Sequence, residues 1–305
     1  MAAYIVNRVL AAFITLLAVI TITFFLMQAV PGSPFLGDKP RPEVEAAMSA
    51  KYGLDRPVIV QFKNYVEHML QGDLGVSLKM KVGQPVTDLL ISRFPISARI
   101  GTMAFIIAVL LGIPIGVFTA LRSGRFIDRL VVFFCSIGVS LPNFVVVAVL
   151  IYIFGVQLKL LPTLGLDSWM CYLMPVFCLT YRTFCFLIRL TRSNMLDVIN
   201  QDYIKTARAK GLFERTVLFK HALRNAVIPV VTYLGPEYIG IITGSFIVEK
   251  LFTIPGLSRY FVLSINARDY PIIMGTTILF GAFLILANFI VDMLYGVIDP
   301  RIRRA

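Results

Sequence analysis

The run Val9-Leu10-Ala11-Ala12-Phe13-Ile14-Thr15-Leu16-Leu17-Ala18-Val19-Ile20-Thr21-Ile22-Thr23-Phe24-Phe25-Leu26-Met27-Gln28-Ala29-Val30 carries no charge and follows Arg8. A helix needs about 20 apolar residues to cross bilayer hydrocarbon, whereas a signal peptide has a shorter apolar stretch of about 7–15 before a small-residue cleavage site. This run has spanning length and ends at Pro31-Gly32. It reads as a retained anchor helix, with a cleaved signal as the alternative.

Five more apolar segments follow, roughly Ile100–Leu121, Leu130–Val156, Tyr172–Leu190, Ile228–Val248 and Ile272–Ile298. Lipid offers no hydrogen bonds to a backbone, so each segment must satisfy its own polar groups as a helix. The expectation is an all-α polytopic membrane protein with six transmembrane helices. Composition agrees. The chain is 58% hydrophobic and 15% charged, against about 25% charged in soluble domains, and its mean hydropathy is +0.82. The net charge of +12 does not indicate nucleic acid, because the basic residues are spread over loops between apolar runs and no binding motif accompanies them.

Those basic residues give an orientation. Arg122, Arg125 and Arg129 lie between the second and third segments; Arg189, Arg192, Lys205, Arg208, Lys210, Arg215, Lys220 and Arg224 lie between the fourth and fifth; Arg301, Arg303 and Arg304 close the chain. The connection after the third segment holds only Lys159. The positive-inside rule then puts both termini and the two basic loops in the cytoplasm. The chain divides into residues 1–30, a first helix; 31–99, an extracytoplasmic cap segment; and 100–305, a five-helix core with a cytoplasmic loop at 192–227. Within the cap, Pro42 introduces a helical pattern over Glu43–Tyr52 that Gly53 can end. Pro57 introduces another, with Val60, Val66, Met69 and Leu70 as apolar positions, stopped near Gly72.

Other features are structural. Gly112-Ile113-Pro114-Ile115-Gly116 permits close approach of a second helix. Cys171, Cys178 and Cys185 fall on one helical face with Cα atoms about 10 Å apart, too far for disulfides. They read as small apolar packing residues. His68 and His221 lie far apart in sequence, and no metal site is indicated. Pro142-Asn143 interrupts the third segment, where the Asn143 amide can satisfy carbonyls freed by the proline or bond across helices.

Between Leu196 and Phe219 the chain is neither span nor turn. Leu196, Ile199, Tyr203 and Ala207 fit one helical stripe, with Lys205, Arg208 and Lys210 facing elsewhere. Gly211 ends the pattern and Arg215–Arg224 forms a second short helical stretch before Pro229. A basic helix–glycine–helix element at the membrane surface can lie in the lipid interface or dock into another protein.

The run Tyr203-Ile204-Lys205-Thr206-Ala207-Arg208-Ala209-Lys210-Gly211-Leu212, followed by His221-Ala222-Leu223-Arg224-Asn225-Ala226-Val227-Ile228-Pro229, resembles the coupling loop of binding-protein-dependent ABC permeases. It is most similar to the dipeptide, oligopeptide and nickel group. Lys205-Thr206-Ala207 stands where the wider superfamily has Glu-Ala-Ala; the missing Glu and the longer Gly-to-Pro interval are usual in the peptide group. Tyr52–Pro57, Gly72–Ser77, Pro31–Pro34, Gly244-Ser245, Val248-Glu249, Ile254–Leu257 and Asp299-Pro300-Arg301 match the first permease subunit of that group.

The resemblance implies a type I ABC importer permease fold and an oligopeptide importer, with dipeptide or nickel transport as alternatives. It also implies a bacterial plasma membrane location. Implied partners are a second permease, two cytoplasmic ATPases, an extracytoplasmic peptide-binding protein and peptide cargo. No Gly-x-x-x-x-Gly-Lys-Ser/Thr loop occurs in the chain, so ATP and Mg belong to the partner ATPases and this subunit binds no cofactor and is not itself an enzyme. Arg182, Glu237 and Asp292 lie inside apolar runs, where a charge is costly unless paired or wetted. They and Asn143 are candidate pathway residues, with an internal ion pair as the structural alternative. A stand-alone secondary transporter, the competing class, would show repeated halves. The large segment after the first span has no counterpart after the fourth.

Overall fold

A computed structural model describes the backbone of residues 2–29, 53 and 56–298, and the side chains there except those of 2–5, 291, 292 and 294–298. The helix expected over Glu43–Tyr52, the Pro31–Pro34 and Asp299–Arg301 motifs, and the terminal arginines lie outside the described residues.

In chain order the helices are α1 (Ala2–Ala29), α2 (Val58–Leu70), α3 (Val86–Leu121), α4 (Phe126–Ser140), α5 (Asn143–Leu150, continued as a π-helix over Ile151–Gln157), α6 (Met170–Ile199), α7 (Asp202–Ala209), α8 (Glu214–Thr216, continued as a π-helix over Val217–Ala222), α9 (Leu223–Ala226), α10 (Ile228–Ile242), α11 (Phe246–Leu251), α12 (Leu257–Ala267) and α13 (Tyr270–Ile298). Among the described residues, strand-like pairing is limited to an isolated antiparallel bridge between Val76 and Pro85. Among the described residues, five helices are long and apolar enough to cross a membrane, and the bent α4–α5 pair makes a sixth when taken as one span.

Two spans depart from their expected form. α3 starts at Val86 rather than Ile100 and has 36 residues, about 54 Å of helix. Its first turns carry Asp88, Ser92, Arg93, Ser97 and Arg99, which hid them from a reading based on apolar length. The third span is broken: α4 and the α5 helix meet at a bend of 102°. Pro142 has no N–H to continue a helix and pushes the residue before it into extended backbone, and Leu141 is at φ −73, ψ 128.

The chain folds into two compact units, one of Met1–Ser97 with Pro255–Ala305 and one of Ala98–Ile254. In the first, Ile20 and Phe24 of α1 pack on Met274 of α13, with Phe62, Tyr65 and Met69 of α2 closing over them. The face of α2 is therefore Phe62–Tyr65–Met69; Leu70, one of its expected apolar positions, is 75% exposed. A second cluster joins Val86, Leu89 and Leu90 to Leu257 and Ile272.

Asp269, fully buried between α12 and α13, gathers the Ser77–Met80 turn. Its Oδ2 accepts from Ser77 Oγ at 2.6 Å, Lys79 N at 3.0 Å and Met80 N at 2.9 Å, and its Oδ1 from Leu78 N at 3.2 Å. Four donors aimed at one carboxylate let a charge be buried, since hydrogen bonds replace the lost water.

In the second unit α3 and α6 touch along the glycine stripe. A Cβ on Gly112 would lie 3.1 Å from Leu187 Cβ, and one on Gly116 would lie 2.7 Å from Thr191 Cβ and 2.8 Å from the Ile188 carbonyl. The close approach expected of Gly112–Gly116 is present. Cys135, Cys171, Cys178 and Cys185 are all reduced and buried, and Cys185 packs against Cys135 and Ile188.

Candidate functional site

The basic loop is built on a small apolar base. Ile204 and Ala207 of α7 bury against Ala120 at the end of α3, Met195 of α6, and Val217, Ala222 and Ala226 of the following helices, with Leu196 and Ile199 alongside. This corrects the single stripe expected over Leu196–Ala207. α6 stops at Ile199, and Gln201 is extended at φ −70, ψ 151, so α7 begins with a new phase. In that phase Ile204 replaces Tyr203 as the buried residue. Tyr203 is exposed, and its hydroxyl accepts a 2.8 Å hydrogen bond from Asn225 Nδ2.

α7 ends in a Schellman-type cap. Gly211 N–H donates to Arg208 O at 2.9 Å and Leu212 N–H to Ala207 O at 3.4 Å, which satisfies carbonyls left open at the helix end. The motif needs a left-handed residue after the cap, and Gly211 sits at φ 75. Nothing lies within 4 Å of where its Cβ would be, so glycine is required by backbone conformation rather than by space.

Past the cap the chain turns back and is pinned by charge. Arg208 Nη2 and Nε bond Glu214 Oε1 and Oε2 at 2.7 and 3.1 Å. The guanidinium hydrogen bond holds the Glu214 carboxyl below the usual glutamate range, and Arg208 is raised in turn. Lys205 pairs with Asp202 at 2.9 Å. These contacts leave Thr206, Ala209, Lys210, Leu212 and Phe213 at the surface, with Phe213 83% exposed. Arg224 and Pro229 are also exposed and His221 is half-buried. Glu214 and Ile204 went unrecognised in the sequence. The signal for Glu214 was a lone acid six residues after Arg208, within reach only once Gly211 reverses the chain.

A second polar site lies between α6 and α10. Thr183 Oγ1 donates to Glu237 Oε1. Arg182 is exposed on the neighbouring position of α6; among the described residues it makes no ion pair with Glu237 within 4 Å. Phe186 and Tyr233 pack beside this site with ring centroids 4.4 Å apart and planes tilted by 35°. Asn143 stands apart: its Oδ1 lies 2.8 Å from the Tyr181 hydroxyl, which also reaches the Leu141 carbonyl at 2.9 Å. Tyr181 thus satisfies the carbonyl of the extended Leu141 and ties α6 to the bend. The Asp292 side chain lies outside the described ones. Arg192, one of the basic loop residues, bonds the buried Asp128 through Nε and Nη2, and Asp128 also accepts from Gly124 N at 2.8 Å. That anchors the Arg122–Arg129 turn to α6.

Residues 112–304 match the family described as "Binding-protein-dependent transport system inner membrane component", and residues 1–101 match the corresponding N-terminal family. The chain belongs to this family. Among its relatives, the dipeptide transport system permease protein DppB of Bacillus subtilis is 44% identical over 99% of this chain and 98% of its own length. The oligopeptide transport system permease proteins OppB of Haemophilus influenzae and Salmonella typhimurium are 43% and 42% identical, each covering 98% of this chain and 99% of the relative.

The fold is that of type I ABC importer permeases. The methionine ABC transporter MetNI, in an inward-facing conformation, aligns at a TM-score of 0.54 and 18% identity over 69% of this chain and 96% of that chain. An amino acid ABC transporter solved with histidines aligns at 0.50, also at 18% identity, over 70% and 94%. The chain is thus a multi-pass inner membrane component of a binding-protein-dependent system, and its cap, ion pair and exposed Phe213 lie on the loop between the fourth and fifth spans of that fold.

Proposed function

We propose that this chain is the permease subunit of an ATP-driven oligopeptide importer, forming the translocation path with a second permease. Two cytoplasmic ATPases power it and an extracytoplasmic peptide-binding protein delivers cargo. The observation that carries this reading is the loop's construction: Ile204 and Ala207 are buried in the protein's own core, while Lys210, Leu212 and Phe213 are held outward by the Gly211 cap and the Arg208–Glu214 bridge. A loop lying passively in the lipid interface would need no such fixed projection. A lever that receives a push from an ATPase does, because force passes to α3 and α6 only through a rigid base.

Both termini and this loop lie in the cytoplasm in this reading, and residues 31–99 form the extracytoplasmic cap. Glu237, Thr183 and Arg182 line the path, where a peptide's charged ends and polar backbone need partners. Peptide cargo rests on the near-equal similarity to dipeptide and oligopeptide permeases. The test is uptake of a labelled pentapeptide into vesicles holding the whole complex. The reading expects uptake to require ATP, the binding protein and both ATPases, and Phe213→Ala to release the ATPases at unchanged permease stability. Uptake that persists without any ATPase would overturn it.

A further inference from the structure

We propose that the groove between α3, from Arg99 onward, and the Trp169 end of α6 binds a zwitterionic aminophospholipid. Its phosphate meets Arg99, its ammonium meets Asp167, and an acyl chain lies along the groove. The groove is open and has a volume of about 660 Å³; Arg99, Asp167 and Trp169 line it, and by their place in the chain they stand at one end, its rim. Below the rim its walls are Met103 and Ile107 from α3 and Leu173, Val176 and Phe177 from α6.

Three observations select this occupant. The first is charge. Arg99 and Asp167, both exposed, offer opposite charges at one end of a groove whose other polar side chains, Ser168, Tyr172 and Thr180, are uncharged, which complements a phosphate and an ammonium carried by one headgroup. Trp169, the single tryptophan of the chain and 68% exposed, stands at the same rim, as aromatic residues do where hydrocarbon meets water.

The second is length. From Arg99 to Ile107 the α3 wall extends about 12 Å, and from Trp169 to Thr180 the α6 wall extends about 16 Å. Half of a 30 Å hydrocarbon core is about 15 Å. The groove is therefore one leaflet deep, as an acyl chain requires.

The third is the floor. Thr180 Oγ1 is already bonded to Ala104 O at 3.2 Å and Val176 O at 2.7 Å, and apart from Tyr172 the walls are apolar. A peptide backbone lying there would lose its water without gaining partners. Arg182, a candidate path residue, faces away: it follows Leu173 by nine positions, about 180° around α6. A spanning helix of another subunit would fill the walls but would bring no phosphate and ammonium to the rim.

The test is native mass spectrometry of the whole complex, extracted from nanodiscs of equal phosphatidylethanolamine, phosphatidylcholine and phosphatidylglycerol. Phosphatidylcholine carries a quaternary ammonium that cannot donate to Asp167, and phosphatidylglycerol has no cation. Retained phosphatidylethanolamine should exceed either by about fivefold, the size one exposed ion pair supplies. Asp167→Lys should shift retention to phosphatidylglycerol, and Arg99→Glu should abolish the enrichment. If Arg99→Glu fails to assemble, Leu173→Trp, which fills the groove and leaves the rim in place, should remove the retained lipid. Equal retention of the three lipids, or wild-type retention in the assembled variants, overturns the proposal. A photo-crosslinker at position 173 should label lipid; labelling of the second permease or of peptide overturns it as well.

Discussion

Arg208 and Glu214 close a two-pronged ion pair over the Gly211 turn, at 2.7 and 3.1 Å, and so fix the angle between α7 and the helix that follows. Both side chains are exposed, so the pair stabilises the fold by at most about 1 kcal/mol. Its value lies in geometry. Arg208→Ala and Glu214→Gln should leave the melting temperature of the complex within about 2 °C and lower ATP-driven uptake. The swapped pair Arg208→Glu with Glu214→Arg should recover part of the loss. Swapped-pair uptake no better than that of the single variants would assign Arg208 to a direct ATPase contact instead. The pH dependence has a definite sign. The Glu214 carboxyl is held below its ordinary value of 4.5, so the bridge is complete above that value and is lost only as pH falls through the lower folded one. Coupling should therefore not change between about pH 6 and 8 on account of this pair.

Gly116 has a different sensitivity, because space rather than backbone conformation requires glycine there. An alanine methyl would enter at 2.7 Å from Thr191 Cβ and 2.8 Å from a backbone carbonyl. Gly116→Ala should cost about 1–3 kcal/mol by forcing α3 away from α6, read as a lowered melting temperature of the detergent-solubilised complex. Gly240→Ala is the control: it also places a methyl on an apolar helix, but nothing lies within 4 Å. It should leave the melting temperature unchanged. Equal destabilisation by both would remove the packing explanation.

At Glu237, the hydrogen bond from Thr183 orients a carboxylate that no ion pair in the described structure neutralises. Thr183→Val keeps shape and removes the donor, so uptake should fall while assembly persists. Glu237→Gln should weaken uptake of peptides with a free amino terminus more than that of N-acetylated ones. Arg182→Ala should reduce preference for acidic peptides. Unchanged selectivity in an assembled Glu237→Gln or Arg182→Ala complex would take that residue off the path.

Much of the architecture was legible because lipid enforces a simple rule: charge-free runs of spanning length become helices. The rule failed where polar residues continue a helix beyond the apolar run, as in α3 before Ile100. It was incomplete at Pro142, where the break was visible but its 102° bend was not. The loop's glycine was legible from its place after a basic helix. The phase of α7 was not, since a break at Asn200-Gln201 resets the helical period and substitutes Ile204 for Tyr203. Contacts between residues distant in sequence, such as Thr183 with Glu237, have no local signature at all.

Asp269 is the extreme case of that last class, some 190 residues from the turn it holds. Its carboxylate takes three backbone N–H groups and the Ser77 hydroxyl, with no solvent exposure. Asp269→Asn would replace one acceptor oxygen with an amide that itself donates, setting donor against donor in a buried site. Breaking such a site from one side costs about 3–5 kcal/mol. The Ser77–Met80 turn should then detach, seen as faster amide exchange at Leu78, Lys79 and Met80 and as protease cleavage between α2 and α3. Ser77→Ala removes only one neutral donor and should cost about 1 kcal/mol. If Asp269→Asn is no worse than Ser77→Ala, the carboxylate is not what holds the turn.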